Sequence, residues 1–134
     1  MDLITSGMPL TWHQPGERRI FLADALDHTS DAAMSVGFAR YAAGESNEWT
    51  MSYDEALVIT RGVFTVRSAT DSVTARAGEV IFLRDGEEIV YQADEEAELV
   101  YVTHPHWLRA TEEGAQAGRL AEWHPVEKAP HPYR

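Results

Sequence analysis

The feature that most restricts this chain is a succession of short β-forming runs between about residues 18 and 104, punctuated by glycine and acidic turns. Arg18–Ala23, Met34–Tyr41 and Asn47–Met51 come first. Ala56-Leu57-Val58-Ile59-Thr60 then reaches Gly62, and Val63-Phe64-Thr65-Val66 follows at once. Ser72–Arg76 leads through Ala77-Gly78 to Val80-Ile81-Phe82-Leu83. Asp85-Gly86 makes the next turn before Ile89-Val90-Tyr91 and Glu98–Thr103. β-branched and aromatic residues at this spacing predict an all-β sandwich or barrel. Helical periodicity is weak in this stretch, and there is no solenoid or propeller repeat. The 134 residues fit one domain with a core of its own.

The flanks have another character. Residues 1–17 carry Pro9, Pro15 and Gly16 and read as an extended arm. Residues 18–106 form the barrel, and 107–134 a tail. Within the tail, Trp107–Glu122 can make one or two helical turns broken by Gly114 and Gly118. Pro125, Pro130 and Pro132 keep the end extended. Trp12, Trp107 and Trp123 lie in these flanks and must be buried either on the barrel or against a second copy. A homodimer is therefore expected alongside intramolecular packing.

Charge and composition exclude several roles. Lys and Arg total 11 against 22 Asp and Glu, a net charge of −11. That field repels phosphate backbones, and Arg18-Arg19 is the sole adjacent basic pair, so no nucleic-acid partner is expected. Cysteine is absent, which removes disulfides, thiol nucleophiles and thiolate metal sites. The first residues lack a basic start and an apolar core segment, and no apolar run approaches the roughly 20 residues of a membrane span. The sequence therefore predicts a cytoplasmic protein without a membrane partner.

The chemically informative stretches are Gly44 to Gly62, which includes Trp49-Thr50-Met51-Ser52-Tyr53-Asp54-Glu55, and Gly78 to Gly86. They resemble the two motifs of the cupin superfamily, G-x5-H-x-H-x(3,4)-E-x6-G and G-x5-P-x-G-x2-H-x3-N. Glu55 to Gly62 matches E-x6-G, and Gly78 and Gly86 match the glycines of the second motif. The resemblance implies a double-stranded β-helix, the jelly-roll barrel of RmlC-like cupins. It also places the three histidine positions on Trp49, Met51 and Ile89, and the motif proline on Arg84. Imidazoles suit first-row metals. With Glu55 alone retained, a degenerate site is expected, with no metal and no other cofactor.

Within the cupins, Trp49 to Glu55, Glu79-Val80-Ile81 and Tyr101-Val102-Thr103-His104-Pro105 look like the ethanolamine-utilisation EutQ group. The likeness covers roughly residues 35–108. It implies association with bacterial microcompartments, where such a domain can serve as an interaction module, and an ATP-dependent acetate kinase activity. EutQ proteins carry a long N-terminal region without a counterpart here, and no G-x-x-x-x-G-K phosphate loop is present.

Strand alternation turns Trp49, Met51, Tyr53 and Glu55 to one side. In the cupin register that side faces the interior, with Ile89 and Tyr91. These six residues predict an apolar, aromatic pocket for a small organic ligand. Desolvation should raise the pKa of Glu55 unless Arg40, Arg61 or Arg84 pairs with it. Glu55 with Tyr53 or His104 is then a candidate acid–base set for metal-independent isomerase or lyase chemistry. Asp54 points outward by alternation. His106 shares His104's position beside Pro105. His13, His28, His124 and His131 show no ligand spacing, and Asp94-Glu95-Glu96 with Glu98 reads as a solvated turn. No Ser-His-Asp order is present.

Overall fold

Alternation between buried and exposed side chains is what assembles this chain. In β5 (Asp54–Arg61), Glu55, Leu57 and Ile59 are buried, and in β10 (Ala97–His104) the buried set is Ala97, Leu99, Tyr101 and Thr103. The two strands pair antiparallel with Leu57 opposite Tyr101 and Glu55 opposite Thr103, so one face of both enters the same core. The structure, a computed structural model, describes residues 1–127; Pro130, His131 and Pro132 lie outside the described residues.

A seven-stranded sheet has the spatial order β11 (Trp123–Val126), β1 (Trp12–Pro15), β2 (Ile20–Leu26), β3 (Ser35–Tyr41), β10, β5, β8 (Val80–Leu83). A four-stranded sheet has the order β4 (Ser46–Thr50), β9 (Glu88–Ala93), β6 (Val63–Arg67), β7 (Ser72–Arg76). Consecutive segments change sheets repeatedly, which gives the jelly roll the sequence predicts. Between strands, Gly62, Gly78 and Gly86 have φ of 81°, 90° and 95°, a region side chains with a Cβ rarely adopt. At Gly62 an added Cβ would also lie 1.9 Å from the Glu96 carbonyl oxygen.

The core between the sheets includes Ile20, Phe64, Ile59 and Leu99, each at 2% exposure or less. Burial of each such side chain contributes roughly 1.5–3 kcal/mol. A second apolar cluster sits on the outer side of the larger sheet, where Trp12, Phe21 and Phe38 are covered by Ile4 and Leu10 of the arm. Trp12–Pro15 of the arm and Trp123–Val126 of the tail are extended, as expected, and pair with each other at the sheet's edge. The tail's helical turns are α1 (Trp107–Glu112) and a 3-10 turn at Ala117–Glu122, separated near Gly114. Trp107 and Trp123 pack against the inner core and Trp12 belongs to the outer one, so all three flank tryptophans find partners within the chain. No helix among the described residues is long and apolar enough to cross a membrane.

Candidate functional site

The run Trp49–Glu55 is not one strand. β4 ends at Thr50, β5 starts at Asp54, and the three residues between them carry the chain from one sheet to the other. Alternation survives the corner because Met51 is held by backbone hydrogen bonds to Glu87 and Gly86, both 2.8 Å. Trp49, Met51, Tyr53 and Glu55 are all buried, at 6, 2, 3 and 6% exposure. Asp54 is exposed and accepts the Asp85 backbone N–H at 2.9 Å.

Glu55 and Tyr91 reach toward each other from opposite sheets. The Tyr91 hydroxyl donates to Glu55 Oε1 at 2.6 Å and lies 3.4 Å from Met51 Sδ. On the same side the Trp49 indole N–H donates to the Tyr53 hydroxyl at 2.8 Å, and Tyr53 is hydrogen-bonded in turn with Tyr91. An indole nitrogen can only donate and a carboxylate only accept, so with Glu55 ionised this Trp49–Tyr53–Tyr91–Glu55 chain has a fixed direction. Burial raises the Glu55 pKa from 4.5 to about 7, and the Tyr91 hydrogen bond partly opposes the rise. Burial likewise raises both Tyr53 and Tyr91, with the Glu55 charge adding to it.

These groups border a chamber of about 40 Å³ between the sheets. Trp49, Tyr53, Glu55 and Tyr91 line it, as expected from the sequence. Tyr41, Asn47, Phe64 and Leu99 complete its inner walls, and Tyr101, Trp107 and Trp123 its outer end. The sequence reading missed these. Strict alternation with Leu99 and Thr103 was the signal that could have placed Tyr101 inside. Tyr41 is hydrogen-bonded with Asn47, which puts a second polar pair at the wall.

Several expectations are corrected. Met51 and Ile89 are buried in the core but do not line the chamber: Met51 packs behind Tyr91, and Ile89 lies beside Trp49 in the β4–β9 register. His104 is exposed, because Thr103 takes the inward position at the end of β10, and so it makes no dyad with Glu55. Glu55 hydrogen-bonds Tyr91 rather than Tyr53, and among the described residues no arginine pairs with it. Arg40 instead faces Glu98 and the Trp12 ring, and Arg84 lies over Phe82. His106 is structural: its Nε2 lies 2.8 Å from the Ala32 carbonyl oxygen.

The positions that hold imidazoles in the cupin pattern carry an indole, a thioether and a sec-butyl side chain, leaving one carboxyl. That donor set does not fit a first-row metal of the usual cupin kind. Among the described residues there is no group of three or more His, Cys, Asp or Glu placed to hold a metal ion.

Beyond the chamber lies a hollow of about 520 Å³ between the arm, β2 and the tail's helical turns. Leu22, Tyr101, Trp107 and Trp123 border both spaces. Asp24 is the polar centre of the dividing wall, accepting from the Tyr101 hydroxyl and, at 2.9 Å, from the Trp107 indole N–H. Its pKa is raised by burial, against the opposing effect of those two donors.

A jelly roll whose inward faces enclose a small chamber at the motif glutamate defines the cupin class. An RmlC-like cupin from Shewanella frigidimarina overlays with a TM-score of 0.64, across 78% of this chain and 92% of that one; at 11% identity it speaks to the fold alone. Within that class the chain belongs to the family of the ethanolamine utilisation protein EutQ, whose family model matches residues 16–109. The crystal structure of a Salmonella typhimurium protein described as ethanolamine utilisation protein Q shares 26% identity, with a TM-score of 0.62 over 65% of this chain and 70% of that one. A Salmonella typhimurium relative named acetate kinase EutQ is 27% identical over 84 residues, which are 63% of this chain and 36% of the relative. The chain thus spans a little over a third of the curated relatives it matches.

Proposed function

We propose that this EutQ-family barrel binds a small organic molecule in the chamber between its sheets, with Glu55 and Tyr91 as the polar end and no transition metal among the ligands. The observation that carries this is the setting of Glu55. Among the described residues the buried carboxyl has one hydrogen-bond partner, Tyr91, and no Lys or Arg beside the open volume it borders. A carboxyl so poorly compensated is costly to keep unless it acts on something. The test is a thermal-shift screen of molecules of up to about four heavy atoms, cationic, neutral and anionic, on the wild type and on Glu55→Gln. A ligand that stabilises the wild type and not the variant supports the reading. Equal stabilisation of both makes Glu55 architectural.

Proton transfer is the second reading, favoured by a Glu55 pKa of about 7 beside a tyrosine hydroxyl at 2.6 Å. The partner in this reading is Tyr91 in place of Tyr53 or His104. The name carried by the curated relatives adds acetate phosphorylation as a third. Phosphoryl transfer needs cationic groups or magnesium around the phosphates, and no Lys or Arg among the described residues borders the chamber. Acetyl phosphate formation from acetate and Mg-ATP by this chain alone tests it directly.

Homodimerisation is proposed on a further observation. On the outer side of the larger sheet Val100 lies opposite Val58 and Val58 opposite Val80, while Val102, Ala56 and Phe82 form the adjoining row. Val80 and Phe82 are 57% and 50% exposed. Among the described residues, the arm covers the part of this face near Phe21 and Phe38. Light scattering should give twice the chain mass, and Phe82→Glu should return the monomer.

A further inference from the structure

The chamber is unusual in which charge it can hold. Among the described residues, Glu55 is its one carboxyl, and neither the chamber nor the adjoining hollow is bordered by Lys or Arg. Across the dividing wall the hollow adds Asp24 and Asp27, with His13 as its one basic side chain among the described residues. The whole chain carries −11. An anion entering here would lose its hydration and meet no compensating charge. A neutral molecule could at most donate a hydrogen bond and would bring the carboxylate no counter-charge. A cation gains from the local carboxylate and from the field of the whole protein.

The walls favour an organic cation over a hydrated metal ion. Eight of the fourteen residues bordering the chamber are aromatic. Their rings are set at steep angles to one another: Tyr41 to Phe64 at 76° and 4.9 Å, Trp49 to Trp107 at 67° and 6.3 Å. Rings set so differently wall the enclosed space with aromatic carbon on several sides. Ring faces attract ammonium groups, and aromatic cages are a known way to hold alkylated nitrogen. The volume of about 40 Å³ admits only a few heavy atoms.

We propose that the chamber is a site for a small organic ammonium ion, its charge against the Glu55 carboxylate and its carbons against the ring faces of Trp49, Tyr41, Phe64 and Tyr91. This rests on the reading of the chamber as a binding site and names the ligand class. The Trp49–Tyr53–Tyr91–Glu55 hydrogen-bond chain orients the carboxylate, with Tyr91 engaging Oε1. Binding fixes Glu55 in its ionised form, so below neutral pH association releases a proton.

Methylammonium, methanol and formate form a size-matched set of cation, neutral molecule and anion. Each is titrated at pH 7 and constant ionic strength while the indole N–H resonances of Trp49 and Trp107 are followed by NMR. The expected result is saturable shifts with methylammonium at a Kd at least tenfold below that of methanol, and none with formate. Glu55→Gln should erase the cation preference, and Glu55→Asp should keep it at weaker affinity. On the wild type, methylammonium affinity should fall about tenfold for each pH unit well below 7, which is readable even if the Gln variant does not fold. Methanol or formate binding as tightly as methylammonium overturns the ammonium assignment while leaving the chamber a binding site. No saturable shift with any of the three removes the binding reading itself, and the assignment with it.

Discussion

The two sides of the Trp107–Tyr101 wall each hold a carboxyl group out of water, yet they are built differently. On the outer side Asp24 accepts hydrogen bonds from Tyr101 and Trp107, and those donors belong to separate parts of the chain, β10 and α1. It ties the tail to the barrel. On the inner side Glu55 has a single donor, Tyr91, and open volume in front of it. Burial raises both pKa values, but two donors oppose the rise at Asp24 and one at Glu55. Hydrogen bonds from several directions make a buried carboxyl a fastener. Leaving it under-supplied makes it a site.

The comparison breaks most visibly at the wall itself. Gly37 lies beneath Tyr101, where an added Cβ would be 2.3 Å from the ring and 2.5 Å from the Ala23 carbonyl oxygen. Gly37→Ala should therefore displace Tyr101 from Asp24 and cost about 3 kcal/mol or more by denaturant unfolding. Asp24→Ala strands two donors and should cost roughly 3 kcal/mol, while Asp24→Asn keeps an acceptor and should cost about 1. If the two Asp24 variants unfold at the same denaturant concentration, the fastener reading of Asp24 is wrong.

Glu55 should behave in the opposite way. Its folded pKa of about 7 lies above the ordinary 4.5, so the native state holds the extra proton between these values. Stability from this group is full below about pH 4.5 and declines as pH rises toward 7, by roughly 3 kcal/mol in all. Unfolding measured at pH 5 and pH 8 should show this loss superimposed on the rest of the chain, and Glu55→Gln should lack it. A pH dependence unchanged in the variant would place the titration elsewhere. Tyr91→Phe sharpens the contrast by removing the single donor. It should move the Glu55 midpoint further up and cost roughly 1–2 kcal/mol at pH 8, read from an NMR titration of the carboxyl carbon and from unfolding. At the small end, His104→Ala should change stability by no more than about 0.5 kcal/mol, because that ring is exposed.

Much of this molecule is legible before folding. The nine barrel strands lie where β-branched runs meet glycine turns, within a few residues at each end. Alternation carried Trp49, Tyr53 and Glu55 inward even across a change of sheet, since a period of two is fixed by backbone geometry. The same rule, applied to Leu99–Thr103, rules out His104. Asp24 also left a trace, as a lone acid in the apolar run Phe21–Leu26.

The list of inward-facing residues and the absence of imidazoles at the motif positions follow from local backbone period and residue identity, and so are readable along the chain. Tertiary structure alone decided which inward side chains meet. Glu55 joins Tyr91 rather than its near neighbour Tyr53, and Trp107 reaches Asp24 across the chain, because partners supplied by facing sheets and a returning tail depend on how the layers stack. No local pattern encodes that stacking.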